Sequence, residues 1–430
     1  MKGRKFLTLA ATLAAVSVLT FGNGLNLNSL GTRALSMGGA YVGLANDFSA
    51  VFWNPAGLAR MTGKTFGFYG TDIIPSGSYL LNMSAPALTL VDAKTQTKNY
   101  LGGLAAYVHP ISDRLVAAIG VYTPSGLGSN WNGADMGFIS GGATDLDWSS
   151  KVGLVTIAPS LAYKVNETLS LGASLNINYG MFDLAMYGGA IPGLIDLGQY
   201  SETETGWGLG ATFGLQFKPH KMISIGAVLR TGSTVKFSGE AEILRLQLLG
   251  LSPTSDMKRE VTWPMWIAGG IAFTPTDKLT ITTDIQYTNW AKIQAIETTY
   301  TDSFWSLLMT AAGKNTMPLL WENTIQVRFG AEYLIAPTLA IRAGYYNDPA
   351  PAPDRTMNIL LPNYDFNVLT FGFGYQAGAL SIDFGLEYLM GKERSIDLIK
   401  TLTDPAWADA MPGVYNMKII APNLSISYRF

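Results

Sequence analysis

The chain of 430 residues contains no cysteine and only two histidines, His109 and His220. Without cysteine it can form no disulfide scaffold, no cysteine-ligated zinc or iron–sulfur site and no thiol nucleophile. Two histidines are too few for a histidine-rich metal site, so we expect neither a metal nor another cofactor. The formal net charge of -2 excludes the basic surface that nucleic-acid binding requires.

Charged side chains and long apolar runs are also scarce. Only 14% of the residues are charged while 48% are hydrophobic, whereas an ordinary soluble domain carries about a quarter charged residues. Beyond the N-terminus, no segment reaches the roughly 18 to 20 apolar residues of a transmembrane helix. A hydrophobic chain without such helices can cross a membrane only as a closed barrel, because open sheet edges leave backbone groups unpaired in lipid.

The first residues predict export. Lys2, Arg4 and Lys5 precede an apolar stretch over residues 6–19, and small residues follow. This pattern is typical of a secretory signal peptide, which we place at residues 1–22. Cleavage after Ala15 and a retained anchor helix are the alternatives. The mature chain is therefore expected to leave the cytoplasm.

Alternation of apolar and polar residues predicts the strands of a barrel. In the last segment Leu424, Ile426, Tyr428 and Phe430 share one face, and small or polar residues occupy the other. Transmembrane strands of about 9 to 11 residues alternate in this way between lipid and lumen. We predict an all-β fold, a 14-stranded antiparallel transmembrane β-barrel over residues 63–430. Its strands are placed near 64–74, 100–109, 115–124, 151–165, 169–182, 204–218, 223–239, 258–274, 279–296, 320–335, 339–348, 365–377, 380–393 and 417–430.

The same alternation directs five charged side chains into the lumen: Arg328, Glu332, Arg342, Asp383 and Glu387. Charges at lipid depth are costly, so they are expected on the inner face only. Two interpretations stay open. The five side chains form a polar pathway, or they form an ion-pair network that braces the wall.

Longer links near 183–203, 240–257, 297–319 and 394–416 are expected to be extracellular loops. Two of them are unusually apolar, which favours either a hydrophobic capture patch or loops that pack on each other. The predicted capture patch comprises Leu184, Met186, Ile191, Leu194, Ile195, Leu244, Leu248 and Leu249.

Residues 23–62 lack strand alternation and are too few to form a core of their own. We therefore expect them to pack inside the barrel as an N-terminal hatch that plugs the lumen. Within the hatch, Asn54, Pro55 and Ala56 predict a fixed turn whose asparagine side chain satisfies backbone groups. A structural role for this turn is favoured over direct ligand contact.

Several motifs then follow in order along the chain. Residues 28–40 read NSLGTRALSMGGA, and residues 46–50 and 54–56 read NDFSA and NPA. This segment resembles the hatch of the outer-membrane long-chain fatty-acid transporter family (FadL/TodX type). Further resemblance lies in YTPSGLGSNW at 122–131, DIQYTNW at 284–290 and RAGYYNDPAPAP at 342–353. It extends over nearly all of the mature chain.

The resemblance implies a monomeric barrel in the bacterial outer membrane that takes up hydrophobic small molecules. Ligand would be captured at the loops, pass a buried apolar site at the hatch, and leave sideways into the membrane lipid beside a kinked third strand. The residues of this lateral-exit kink are Pro124, Ser125, Gly126, Leu127 and Gly128. Proline cannot donate to a ladder and glycine weakens it, so strand pairing should fail there. An ordinary strand end is the alternative.

We therefore predict a passive uptake channel for long-chain fatty acids or other hydrophobic compounds. The family meets a fatty-acid carboxylate with basic residues, yet the corresponding stretches 177–186 and 319–324 contain no lysine or arginine. Neutral hydrocarbons thus stay open as substrates. The alternative function is a barrel of this type that serves as a protein-secretion or surface-attachment partner without small-molecule transport.

An enzymatic function is not expected. Neither histidine has an evident partner for nucleophilic catalysis. The glycine-rich run at 206–214 lacks the strand–helix–strand context of a dinucleotide site, and glycine on a lumen-facing strand explains it better.

Overall fold

The computed structural model describes residues 24–84 and 87–430. The expected signal peptide, residues 1–22, lies outside the described residues. Helices are short: α1 (Thr32–Ser36), α2 (Ala50–Trp53), α3 (Ser303–Ala311) and α4 (Leu398–Thr403). Short 3-10 segments occupy Pro55–Arg60, Gly133–Ser140, Leu244–Leu249, Trp290–Lys292, Asp354–Thr356 and Pro405–Trp407. Within the described ranges, no helix is long and apolar enough to cross a membrane.

Almost all remaining regular structure is β-sheet. The strands are β1 (Thr65–Ser84), β2 (Ala87–Lys94), β3 (Tyr100–Pro110), β4 (Leu115–Trp131), β5 (Trp148–Lys164), β6 (Leu169–Tyr187), β7 (Ala190–Ile191), β8 (Ile195–Asp196), β9 (Gln199–His220), β10 (Ile223–Arg230), β11 (Ser233–Glu242), β12 (Thr254–Trp263), β13 (Trp266–Thr276), β14 (Leu279–Thr288), β15 (Ala295–Tyr300), β16 (Thr316–Pro318), β17 (Thr324–Ala336), β18 (Leu339–Asp348), β19 (Phe366–Ala377), β20 (Leu380–Gly391), β21 (Arg394–Ile396) and β22 (Gly413–Arg429).

These strands form a closed wall. β10–β11, β12–β13 and β14–β15 each make one interrupted wall strand, while β2, β7, β8, β16 and β21 are short additions at the loop ends. Each wall strand pairs antiparallel with the next, and β1 pairs with β22 from Thr65–Arg429 to Leu80–Val414. The prediction of a 14-stranded antiparallel barrel is confirmed.

The predicted alternation also matches the two faces of the wall. Ile341, Ile426 and Tyr428 are between 41% and 48% exposed on the outer face. By contrast, Arg328 is fully buried and Arg342 nearly so on the inner face. Closure satisfies the ladder hydrogen bonds inside the wall, so the outer face can be apolar throughout the membrane.

The wall strands extend further than expected, and two predicted loops are partly wrong for that reason. β6 continues to Tyr187 and β9 begins at Gln199, with the ladder running from Leu184–Glu202 to Tyr187–Gln199. Leu184 and Met186 therefore lie on a strand rather than in a loop. Similarly, β11 reaches Glu242 and β12 starts at Thr254. The sequence does not reveal these strand extensions, because apolar and polar residues occur on both of their faces.

The interior holds two apolar clusters. The lower cluster packs hatch side chains such as Leu30, Val51 and Trp53 against the wall. The upper cluster fills the barrel toward the loops and contains six of the ten tryptophans: Trp131, Trp148, Trp263, Trp290, Trp305 and Trp321. Residues 24–62 thus lie inside the wall and close the lumen.

Glycines line the wall where the hatch backbone touches it. A Cβ atom added to Gly226 would overlap Val42 O, one on Gly330 would overlap Met37 O, and one on Gly344 would overlap Gly38 N. The high glycine content therefore has a packing cause, because the hatch lies closer to these strands than any side chain would allow.

We predict that Gly226→Ala displaces the hatch. The added methyl group meets a backbone carbonyl, which cannot rotate away as a flexible side chain could. The measurement is protease cleavage of residues 24–62 in the folded barrel, which should become faster. Gly269→Ala on the adjacent strand is the matched control, since its nearest neighbour would be Gly226 O at 4.0 Å. Equal resistance of the two variants would contradict the prediction.

Candidate functional site

The wall is interrupted between its second and third strands. β3 and β4 pair from Pro110–Val116 to Leu104–Tyr122, and the ladder between them ends there. Beyond this point Gly103 N donates to the side-chain Oγ1 of Thr123 at 2.9 Å. Beyond Tyr122, β4 therefore no longer pairs with β3 in the wall.

A bulge in β4 begins at the same place. On its other side β4 pairs with β5, and the register shifts between Tyr122 and Ser125: Tyr122 is opposite Thr156, whereas Ser125 is opposite Leu154. One extra residue is thus accommodated next to Pro124, which has no N–H to donate. The predicted kink residues, from Pro124 to Gly128, all lie in the part of β4 that does not pair with β3.

The first described residues of the hatch take the place of the missing neighbour. Leu27 N donates to Pro124 O at 3.0 Å, and Gly126 N donates to Leu25 O at 3.1 Å. Asn26 and Ser125 form an antiparallel bridge between these two hydrogen bonds. We call residues 25–27 the sealing segment.

Ser125 connects three parts of the protein at this point. Its Oγ donates to Leu25 O at 2.5 Å and accepts from Trp263 Nε1 at 2.9 Å. Leu25 belongs to the sealing segment, and Trp263 to β12 across the lumen. The kink, the hatch and the opposite wall are thereby held together by one hydroxyl group.

A cavity of about 120 Å³ lies behind the sealing segment. It runs from the kink into the lumen, and most of its lining is apolar. The lining includes Asn26, Leu27, Ile73, Pro75, Gly126, Leu127, Gly128, Tyr364, Phe366, Leu389, Met417 and Ile419, together with the acidic side chains Asp348 and Glu387. An apolar enclosure with a few polar groups is the usual form of a small-molecule site.

The turn at Asn54, Pro55 and Ala56 lies elsewhere, deep in the hatch. Asn54 is fully buried; its Oδ1 accepts from Ala56 N at 3.1 Å, and its Nδ2 donates to Val42 O and to Leu215 O, each at 3.0 Å. The side chain thus caps the 3-10 segment Pro55–Arg60 and joins the hatch backbone at Val42 to β9. It does not line the cavity behind the sealing segment.

Two buried carboxylates fasten the hatch to the wall. Asp284 Oδ2 on β14 accepts from Tyr41 N at 2.8 Å and from Val42 N at 2.9 Å. Glu332 on β17 accepts from Arg33 Nε and Nη2, both at 2.7 Å. Burial by itself would lower the pKa of the Arg33 guanidinium, but Glu332 beside it raises that pKa well above its ordinary value. Arg33 therefore stays charged.

Three of the five predicted lumen charges, Glu332, Arg342 and Asp383, pair with one another. Glu332 also bonds Arg342, which bonds Asp383 at 2.6 Å, so a chain of ion pairs runs from the hatch along the wall. Arg328 donates to Gly38 O of the hatch, and Glu387 accepts from Tyr346. The ion pairs therefore join three of the five predicted residues and add the hatch residue Arg33, whereas Arg328 and Glu387 bond neutral groups.

The predicted capture patch is divided by the structure. Leu184 is buried in the upper cluster, and Met186, Ile191, Ile195 and Leu249 are partly buried. Leu194, Leu244 and Leu248 are 63%, 58% and 77% exposed. Five of the eight residues are thus buried or partly buried, while three leucines project from neighbouring loops.

Three residues of this region escaped the sequence-based set: Arg33, Asp284 and Arg230. Asp284 lies within the DIQYTNW motif, and strand alternation already directs it inward, so a search for inward carboxylates would have found it. Arg33 lies in a segment without periodicity, which offers no direction for its side chain. Arg230 ends β10 and reaches Phe52 O of the hatch at 2.8 Å.

A closed 14-stranded barrel with an internal hatch and a break in its third strand defines a class of outer-membrane transport proteins. The family described as "Outer membrane protein transport protein (OMPP1/FadL/TodX)" matches residues 13–430. The chain belongs to this family. It is an outer-membrane protein that transports hydrophobic compounds, and it is not an enzyme.

Relatives match this chain over nearly its full length. Outer membrane protein P1 of Haemophilus influenzae is 22% identical, over 91% of this chain and 92% of its own. The crystal structure of a Pseudomonas aeruginosa FadL homologue superposes with a TM-score of 0.75 at 18% identity, covering 95% of this chain and all of that one. The Ralstonia pickettii toluene transporter TbuX has a TM-score of 0.70 at 19% identity, covering 94% and 99%.

Proposed function

We propose that this chain is a passive uptake channel for long-chain fatty acids or other hydrophobic compounds. Exposed loops capture the ligand, the hatch gates its passage, and the ligand leaves sideways at the break in β4. One observation carries this proposal: the break in the wall is closed by residues 25–27 and not by a wall strand. A closure made by a short internal segment can open without disturbing the barrel.

The energies favour such an opening. Three hydrogen bonds hold the sealing segment to β4, and each contributes about 0.5–1.5 kcal/mol net. A ligand that buries about 200 Å² of apolar surface gains about 5 kcal/mol. Ligand burial in the cavity therefore offsets the loss of these three hydrogen bonds, and we propose that no external energy source is required.

The rest of the hatch stays in place in this mechanism. Asp284, Glu332 and Asn54 bind it to the wall through buried, charge-assisted or multiple hydrogen bonds, which are stronger than those of the sealing segment. Movement is thus confined to the sealing segment, residues 25–27. The gap then opens toward membrane lipid, which solvates an apolar ligand on leaving.

Capture at the extracellular side is assigned to Leu194, Leu244 and Leu248, whose exposed side chains offer an apolar surface. The structural neighbours of this chain include a FadL homologue and toluene transporters, which supports hydrophobic compounds as its substrates. We also propose that the protein acts as a monomer, because a closed wall leaves no unpaired strand edge for a second copy.

The test is uptake of labelled oleate and labelled toluene by cells that lack their own fatty-acid transporter. Cells that express this chain are expected to take up at least one of the two compounds faster than cells with empty vector. Correct insertion of the barrel is verified in the same cells by its resistance to unfolding in detergent at room temperature. Inserted protein without uptake of either compound would contradict the proposal and favour the secretion-partner function.

A further inference from the structure

Two carboxylates face the cavity behind the sealing segment. Asp348 and Glu387 are both buried and both belong to its lining. They lie close enough to repel each other electrostatically. Within the described part of the chain, neither lysine nor arginine is among the residues that line this cavity. The cavity therefore presents negative charge to the molecule that occupies it.

One nearby cation compensates only part of this charge. Arg328 attracts Glu387, but its guanidinium donates to Gln326 Oε1 and to Gly38 O. Glu387 accepts from the Tyr346 hydroxyl and forms none of the ion pairs found among the described residues. One positive charge thus stands against two negative charges. A buried carboxylate with incomplete compensation is destabilising, and a cation that enters beside it relieves that cost.

A tyrosine of the same cavity lacks a hydrogen-bond partner. Tyr364 lines the cavity and is only 2% exposed, and its hydroxyl oxygen is buried without a partner among the described residues. Such a group costs free energy that a ligand donor would recover. The rings of Tyr364 and Phe366, with centres 5.9 Å apart, also offer aromatic faces to a cation. The hydroxyl, the rings and the two carboxylates therefore suit the same kind of headgroup.

We propose that this cavity binds the ammonium group of a single-chain amphipathic amine, so that the channel prefers amines to carboxylates of equal chain length. The proposal rests on the uptake function proposed above and specifies its substrate class. A primary ammonium group has three N–H donors, and Asp348, Glu387 and Tyr364 provide acceptors for them. The alkyl chain continues along apolar lining residues such as Leu127 and Ile419.

The position of Asp348 connects binding to opening. Asn28, the residue that follows the sealing segment, donates from Nδ2 to Asp348 Oδ2 at 2.6 Å. An ammonium group carries a full charge and binds a carboxylate more strongly than a neutral amide does. The ligand therefore replaces Asn28 at Asp348 and loosens the chain next to the sealing segment. A carboxylate ligand would be repelled at the same place.

An ethanolamine phospholipid also carries a primary ammonium group, so membrane lipid is a second source of this chemistry. It adds a phosphate that the two carboxylates repel, and it adds a second acyl chain. The cavity of about 120 Å³ accommodates a compact headgroup. These features favour the single-chain amine, and the experiment includes both.

The test is equilibrium binding of labelled hexadecylamine, hexadecanol and palmitate to the purified full chain at pH 7 in one non-ionic detergent. Glu387→Gln removes a charge but keeps an oxygen to which Tyr346 can donate. It should weaken hexadecylamine about ten- to a hundred-fold, the amount expected for a charge-assisted hydrogen bond. The same variant should strengthen palmitate and leave hexadecanol unchanged. This reversal of sign separates a charge effect from a change in the shape of the cavity.

Two further variants test the other acceptors. Asp348→Asn should act on the three ligands in the same directions as Glu387→Gln. Tyr364→Phe should weaken hexadecylamine about two- to tenfold, the amount expected for a hydrogen bond to a neutral group. Glu260→Gln is the matched control, because this carboxylate is 61% exposed in a pair with Lys236 and lies outside the cavity lining. It should change none of the three affinities.

The outcomes distinguish the proposals. If Glu387→Gln affects all three ligands alike, or none of them, the ammonium assignment is wrong. Unlabelled phosphatidylethanolamine should displace labelled hexadecylamine far less than unlabelled hexadecylamine does; equal displacement would assign the site to membrane lipid and overturn the substrate assignment. Cells that take up toluene without Glu387-dependent uptake of hexadecylamine would refute the amine preference alone. Cells that take up neither compound would refute the uptake function itself.

Discussion

A disulfide bond between residues 26 and 125 is expected to reduce uptake to the level of cells without the protein. The variant is Asn26→Cys/Ser125→Cys, and because the chain contains no cysteine the new pair has no competing thiol. The two residues face each other in an antiparallel bridge flanked by hydrogen bonds. In such a non-hydrogen-bonded pair the Cα atoms are about 4.5 Å apart, which is within the range that a disulfide spans.

The reason for the large effect is geometric. With the sealing segment tied to β4, the gap in the wall cannot open, whatever the ligand contributes in binding energy. Uptake of labelled oleate or toluene should be lost under oxidising conditions and return after reduction. Uptake by the reduced variant shows the effect of losing the Ser125 hydroxyl. Comparing the oxidised with the reduced form of the same variant therefore isolates the effect of the disulfide.

A second tether serves as the matched control. Thr32 Oγ1 and Ser425 Oγ are 3.0 Å apart and join α1 to β22, far along the chain from the kink. Thr32→Cys/Ser425→Cys should leave uptake intact, since this part of the hatch stays in place. Uptake that persists with the 26–125 disulfide formed would refute lateral exit at the kink. Uptake lost with both tethers would indicate movement of the whole hatch.

Glu332→Gln is expected to destabilise the protein by about 3–5 kcal/mol. Glu332 is 8% exposed as a side chain and accepts from both Arg33 and Arg342. A neutral amide leaves the two guanidinium groups with less negative charge between them, and among the described residues Asp383 pairs with Arg342 and not with Arg33. The free energy of unfolding, measured in urea by linear extrapolation, should fall accordingly.

Two comparisons make this result specific. Arg33→Met in the Glu332→Gln background removes one of the two cations and should recover part of the loss, as measured in a double-mutant cycle. Glu260→Gln removes a carboxylate from an exposed pair with Lys236, whose side chains are 61% and 77% exposed, and should cost less than about 1 kcal/mol. A Glu332→Gln effect as small as that of Glu260→Gln would disprove a stabilising role for the network.

The charged residues predicted to face the lumen show what strand alternation can predict and what it cannot. A period of two assigns each side chain of a wall strand to lipid or lumen, so Arg328, Glu332 and Arg342 were placed correctly from the sequence. Their partners were not, because Arg33 and Glu332 are 299 positions apart. Loop boundaries failed at Leu184, where the ladder between β6 and β9 continues beyond the membrane-spanning residues.

The sequence by itself determined the compartment, the barrel and the weak point in its wall. Low charge, high glycine content and strand alternation leave a closed barrel as the remaining solution in a membrane, and Pro124 cannot donate a hydrogen bond to a ladder. Only the tertiary structure decided what covers that weak point and which hatch residue pairs with Glu332. Both depend on which distant segments meet inside the barrel, and local periodicity contains no information about such contacts.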